Sequence, residues 1–385
     1  SLAGLADELA DAVLAWTVRR EYFAAAELFL RRRDELAAAI PAMVGNVGEM
    51  VGSILRAVGQ VADERAAAEP VWTRVLSQAR GFDPGGLAPP RLEELPIGLI
   101  EVAIQRVGAM VKSEPWLALQ VALLLLAWLP REEDTYPIRA LAEHAVHAII
   151  AAEAVQLLPR AEELVEYLLE HGGVRHSRAE LLYYRVKVAM PAFMREPMRR
   201  PAALRMLGES VAGARREGAG WCEVKASCLW VTLRVQDLPP KPQRAGVLAE
   251  ATALLDAAES AALAWELVPE LCSERARVAM GAGDIAGSVA QWQRALDHTP
   301  TERHPAFRAD LLANLAQAQM FGGRLDEAEV AARAAQEHLP TDSGVGSTAF
   351  VRGILGLVLA QHPREETVDE AIALLEDALR VPWQR

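Results

Sequence analysis

Apolar positions recur at helical spacing along most of this chain, and from residue 161 onward they settle into one repeated signature. A small residue is followed four positions on by a large or apolar one, and three further on by a small or apolar one. The first positions are Ala161, Ala203, Ala251, Ser288, Ala328 and Ala371. The second are Val165, Leu207, Leu255, Trp292, Ala332 and Leu375, and the third Leu168, Ser210, Ala258, Ala295, Ala335 and Ala378. Residues i, i+4 and i+7 share one helix face, so this stripe is predicted to be where each helix packs on its neighbours. Small side chains let two helices approach closely while the large one fills the gap.

Successive copies begin 37 to 48 residues apart, and the intervals carry a second helix and a turn rich in breakers. The segment FRADLLANLAQAQMF closes on Gly322-Gly323, and PELCSERARVAM closes on Gly281 to Gly283, with Asp284 placed as an N-cap. Pro300 and Pro340 then stop the second helices. Each unit reads as helix, tight turn, helix, proline. Self-similarity at such a period decides the architecture before any other signal: an all-α chain of antiparallel helix pairs, with roughly 16 to 20 helices.

The copies at 309–342 and 269–302 resemble the tetratricopeptide repeat. The first supplies Leu312, Leu315, Ala316, Ala328, Ala332, Ala335 and Pro340 at the family's spacing, and the second Ala279, Ser288, Trp292, Ala295 and Pro300. The likeness is good over 245–380 and looser over 130–245, where turns swell into MPAFMREPMRRP and QDLPPKPQR. The period exceeds the family's roughly 34 residues, so longer helices or loops are expected. The resemblance implies a right-handed superhelix, or solenoid, with a concave groove lined by the first helix of each pair. It places groove contacts at Glu270, Ser273, Glu274, Arg277 and Met280 in one repeat, and at Asp310, Ala313, Asn314, Gln317, Met320 and Phe321 in the next. Asn314 stands where chaperone-binding members clamp a terminal carboxylate. The basic residues that complete such a clamp are missing from these repeats and from 349–382, where Phe350, Gly353, Ile354 and Leu357 occupy the positions. A mixed polar and apolar groove of this kind suits an internal segment, an extended peptide or another domain of the same protein.

Residues 1–130 repeat less clearly. The opening LADELADAVLAWTVRREYFAAAELFLRRRDEL reads as a helical hairpin turning near Glu21-Tyr22, a candidate degenerate repeat. A long helical pattern follows, with Gly45, Gly48, Gly52 and Gly59 close to one face. Glycine in a helix costs about 1 kcal/mol relative to alanine, and close helix–helix approach is the expected reason for four of them. The stretch GFDPGGLAPPR at 81–91 is the strongest linker. The organisation expected is an N-terminal helical region over 1–85, connecting helices over 86–130, and the repeat array over 131–385. The most apolar run, WLALQVALLLLAWL from Trp116, contains Gln120 and stops at Pro130; it is too short for a bilayer span and reads as a core helix.

Composition adds exclusions. A net charge of −12 argues against a nucleic-acid binder. Cys222, Cys228 and Cys272 form no CxxC spacing and fit buried thiols in a reducing cytoplasm. No export signal opens the chain, and Ser1 and Arg385 read as the ends of a fragment of a larger protein. Basic charge is carried almost wholly by arginine, for the only lysines are Lys112, Lys187, Lys225 and Lys241; with the alanine richness this points to a high-GC bacterial genome.

Catalytic chemistry is sought and mostly not found. Glu143, His144 and His147 share a helix but do not spell HExxH, and a half-buried helix face accounts for them. The glycine turns at 281–284 and 342–347 follow no predicted strand and lack the Gly-Lys-Ser/Thr ending of a P-loop. Arg195, Arg199, Arg200, Arg205, Arg215 and Arg216 cluster, either as a solvated surface or as a patch for an anionic partner. The function expected is a non-catalytic protein–protein interaction or sensor-scaffold module of a bacterial signalling or regulatory multidomain protein, in the cytoplasm. It would bind a peptide or domain in the groove and need no metal, cofactor, nucleic acid or membrane. The alternative is an enzyme or small-ligand-binding protein with a pocket inside the superhelix.

Overall fold

The computed structural model describes residues 71–83, 97–128, 136–152, 154–236, 238–299, 305–340, 345–361 and 367–380. Every regular element among the described residues is helical. The chain divides into two compact units, Ser1–Ala152 and Glu153–Arg385. The expected hairpin over 1–32, the glycine-striped helix and most of the 81–91 linker lie outside the described residues.

In the first unit, residues 71–80 are helical and are followed by α1 (Ile97–Ser113), α2 (Pro115–Trp128) and α3 (Tyr136–Ala151). The last three pack on one another. The run read as a core helix is α2, and residues 118–126 of it are buried without interruption. Its one polar member, Gln120, is satisfied by donating from Nε2 to the Phe82 carbonyl at 2.7 Å. No helix of the described residues is long and apolar enough to cross a membrane. Glu143 and His144 of α3 are both buried, and the imidazole of His144 lies against Gly108, where a Cβ would come within 2.8 Å of it. Helix α3 belongs to this unit, so the boundary falls some twenty residues later than the position 131 expected from the repeat pattern.

The second unit runs α4 (Leu158–His171), α5 (Arg178–Val188), α6 (Met190–Arg195), α7 (Arg200–Glu217), α8 (Gly220–Gln236), α9 (Gln243–Ala257), α10 (Glu259–Ala264), α11 (Val268–Ala282), α12 (Ile285–Asp297), α13 (Pro305–Phe321), α14 (Leu325–His338), α15 (Val345–Gln361) and α16 (Val368–Arg380). Helices pack as chain neighbours: α5 with α7, α8 with α9, α11 with α12, α13 with α14 and α15 with α16. The signature lies on α4 and on the second helix of each of these pairs. Its first position is buried in every copy, at 0% exposure in five and 4% at Ala371. The third position is buried in all six, while at the second only Leu375 of the last helix is partly open.

Local chemistry explains where helices stop. Gly283 and Gly323 adopt φ of 84° and 73° directly after α11 and α13, the left-handed conformation that lets a chain turn out of a helix. Asp284 then caps α12, its carboxylate accepting from the Gly287 amide at 2.8 Å. Helix α5 opens with a reciprocal capping box between Ser177 and Glu180. The swollen loop MPAFMREPMRRP is itself structured: α6 and a 3-10 turn over Pro197–Arg199 carry Phe193 into the core formed by α5, α7 and α8. Proline in the first turn of α6 and of α7 is the tolerated position for that residue, so the prolines start short helices here.

Candidate functional site

The first helices of five successive pairs contribute to one cleft of about 540 Å³ in the second unit. Tyr183 and Lys187 come from α5, and Lys225, Cys228, Leu229 and Thr232 from α8. Helix α11 gives Glu270, Ser273, Glu274 and Arg277; α13 gives Phe307, Asp310, Leu311 and Asn314; α15 gives Gly346, Ser347 and Phe350. Trp292 of α12 reaches the same space. A smaller cleft of about 340 Å³ adjoins it, sharing Thr232, Arg277, Trp292 and Asn314 and adding Met280 and Gln317.

Repeat geometry puts polar groups on these helices at one-turn intervals. On α11, Glu270, Ser273, Glu274 and Arg277 follow the i, i+3, i+4, i+7 pattern, so one face carries all four. Ser273 Oγ donates to the Pro269 carbonyl at 2.7 Å, which ties the hydroxyl to its own helix. On α13, Asn314 donates from Nδ2 to the Asp310 carbonyl at 2.7 Å. Tyr183 is held edge-on against Trp221 with ring centroids 5.9 Å apart, and Trp221 in turn donates from Nε1 to Glu180 at 2.9 Å.

One ion pair crosses the cleft floor between helices, and a second lies along α11. Lys225 Nζ meets Glu270 Oε1 at 2.7 Å, joining α8 to α11. Arg277 Nη1 binds Glu274 Oε1, and its guanidinium lies 5.9 Å from the Trp292 ring centroid. The other carboxylate oxygen of Glu274 is buried with no hydrogen-bond partner. Burial pushes the Glu274 carboxyl above its usual range, and the Arg277 charge offsets part of that shift. Lys187 makes no ion pair among the described residues. Desolvation lowers its ammonium below the usual lysine range, with repulsion from Lys225 adding to the effect. The thiols are held protonated: burial raises Cys222 to about 12 and Cys228 well above its ordinary value. Neither cleft is lined by histidine, and no cluster of three or more His, Cys, Asp or Glu side chains among the described residues is arranged to hold a metal ion.

Of the groove positions expected from the sequence, Glu270, Ser273, Arg277, Asp310 and Asn314 line the larger cleft, and Gln317 lines the smaller. Met320 does not join them: at 5% exposure it packs into the core with Leu311, Leu315 and Val351. An α-helix turns about 100° per residue, so Met320 is rotated roughly 120° away from Asn314 and faces inward. Phe321 is exposed but lies beyond the lined segment, at the end of α13. The arginine cluster divides. Arg200 donates from Nε and Nη2 to the carbonyls of Phe193 and Met194, each at 2.8 Å, and so braces α6. Arg215 pairs with Glu223 at 2.5 Å, and Arg199 pairs with Glu196 and stacks over Phe193. Arg195, Arg205 and Arg216 are exposed. Lys187, Lys225, Tyr183 and Trp292 were not anticipated as lining residues; the scarcity of lysine was the one signal that could have drawn attention to the first two.

No protein-family model matches the chain, and no curated protein matches it significantly.

Proposed function

We propose that the second unit is a divergent tetratricopeptide-like superhelix that acts as a non-catalytic docking module. An extended peptide, or a segment of another domain, lies along the cleft in a bacterial signalling or regulatory protein. The observation that carries this reading is the convergence of five first helices on one continuous cleft. A surface built that way offers a repeated ledge to an extended chain. Its lining mixes aromatic and aliphatic patches (Phe307, Leu311, Phe350) with amide and charged groups, as peptide grooves do. Four of its six charged side chains pair with one another, which suits recognition better than proton transfer.

Selection of a random-peptide display library on the whole chain tests this. Wild type should enrich a related pool, and Asn314→Trp, which fills the cleft, should lose that pool while keeping its far-UV helical spectrum. An unenriched pool on wild type, or an undiminished one on Asn314→Trp, would overturn the docking role.

A further inference from the structure

The charges of the cleft are unevenly spent. Lys225 is taken by Glu270 and Arg277 by Glu274, so the cleft closes two ion pairs within itself. Lys187 lines the same cleft on α5 and pairs with no carboxylate among the described residues; the third acidic side chain of the lining, Asp310, stands on α13. It sits near a second cation, Lys225, whose charge repels it. Charge complementarity therefore asks for an anion at that end. The far end has a different character: Phe307 and Phe350, each partly buried against the core, line the cleft where α13 meets α15.

The helices set a ruler between the two ends. Packed helices lie about 8–10 Å apart, and an extended chain advances roughly 3.3 Å per residue. Helix α5 packs on α8 and α8 on α11, while α13 follows through α12. The two ends therefore lie at least three such helix steps apart, a span an extended peptide covers in about eight residues or slightly more. A lysine presents a point charge rather than the planar fork of arginine, so it suits a single carboxylate without demanding a fixed approach angle.

Resting on the docking role above, we propose that this cleft selects an internal acidic segment. An aspartate or glutamate side chain seats on Lys187, and an apolar side chain about eight residues away rests against Phe307 and Phe350. The chain between them crosses the Lys225–Glu270 and Arg277–Glu274 pairs.

The same peptide-display selection, run on the full chain, reads this directly. Pools from wild type should concentrate Asp or Glu at one position and an apolar residue about eight places from it. Replacing the acidic residue of a selected peptide by Ala should weaken binding about twofold to fivefold, the range of one partly shielded ion pair. Lys187→Arg should keep the acidic preference, and Lys187→Glu should exchange it for Lys or Arg, a reversal that unfolding cannot imitate. A wild-type pool with no acidic preference, or one unchanged by Lys187→Glu, overturns this inference and leaves the docking role standing. Failure to enrich any peptide overturns both. Displacement of the peptides by millimolar glutamate or inorganic phosphate alone, matching the intact peptide, would show that a free anion is the ligand and overturn the choice of a peptide.

Discussion

Two buried serines on equivalent helix stripes should respond in opposite directions to the same substitution. Ser288 and Ser210 are both 0% exposed. Ser288 occupies the first signature position, filled by alanine in the five other copies, and its Oγ is buried without any hydrogen-bond partner. Ser210 occupies a third position, and its Oγ donates to the Ala179 carbonyl at 2.7 Å, linking α7 to α5. An unpaired buried hydroxyl costs about 1–3 kcal/mol, and the low end applies to a group this small. Alanine also gains a few tenths of a kcal/mol in helix propensity over serine. Ser288→Ala should therefore stabilise the second unit by about 1–1.5 kcal/mol, or roughly 2–6 °C in melting temperature for a unit of this size. Ser210→Ala forfeits a net hydrogen bond of about 1 kcal/mol and recovers only the propensity, so it should destabilise by about 0.5–1 kcal/mol. Urea unfolding followed by far-UV ellipticity, with tryptophan fluorescence as a second probe, separates the two. Equal signs for the pair, or a Ser288→Ala variant no more stable than wild type, would refute the assignment of the unpaired hydroxyl.

Trp292 joins core and cleft, for it is 3% exposed, packs with the helices α11 to α13 and lies beneath Arg277. Trp292→Ala should cost about 3–5 kcal/mol in urea unfolding. Trp292→Phe, which keeps an aromatic face under the guanidinium, should cost less; equal losses would remove the ring from the account. Arg333 bonds both Glu370 oxygens at 3.0 Å and so ties α14 to α16. These bonds hold the Glu370 carboxyl below its ordinary 4.5. A depressed carboxyl contributes stability that is complete above the ordinary value and drains away as pH falls through the lowered one. Because both side chains are about 40% exposed, that contribution is screened to roughly 0.5 kcal/mol. Glu370→Gln should lose that small increment at pH 7 and show a flatter decline as pH falls below the ordinary carboxylate value in thermal unfolding. A decline as steep as that of wild type would count against the pair.

The stripe was legible because burial at i, i+4 and i+7 leaves a compositional trace: only small residues fit where two helices touch, and Ala161, Ala203 and Ala328 say so directly. The groove positions on α11 and α13 came from the repeat resemblance, which supplies offsets along the first helix that the stripe on the second helix does not contain. Met320 shows the limit, because a contact position counted along the chain need not keep its rotation when the helix is longer than the pattern assumes. Lys187 and Lys225 belong to pairs whose loops depart from the family spacing, so no register connected them to the groove. The boundary after Ala152 left no trace. Helix α3 is buried on nearly every side, and its packing on α1 and α2 assigns it to the first unit.

The rarity of lysine gives the cleft a chemical address. Of four primary amines on side chains, Lys187 and Lys225 line one cleft, while the other two, Lys112 and Lys241, sit exposed elsewhere. Desolvation and the neighbouring Lys225 lower the Lys187 ammonium below the usual lysine range, which favours acylation there over Lys112 and Lys241. Acylating reagents therefore meet only four side-chain amines, two of them in the cleft. Arginine elsewhere leaves the rest of the basic surface unmarked, so a segment bound in the cleft should register as protection of Lys187 and Lys225.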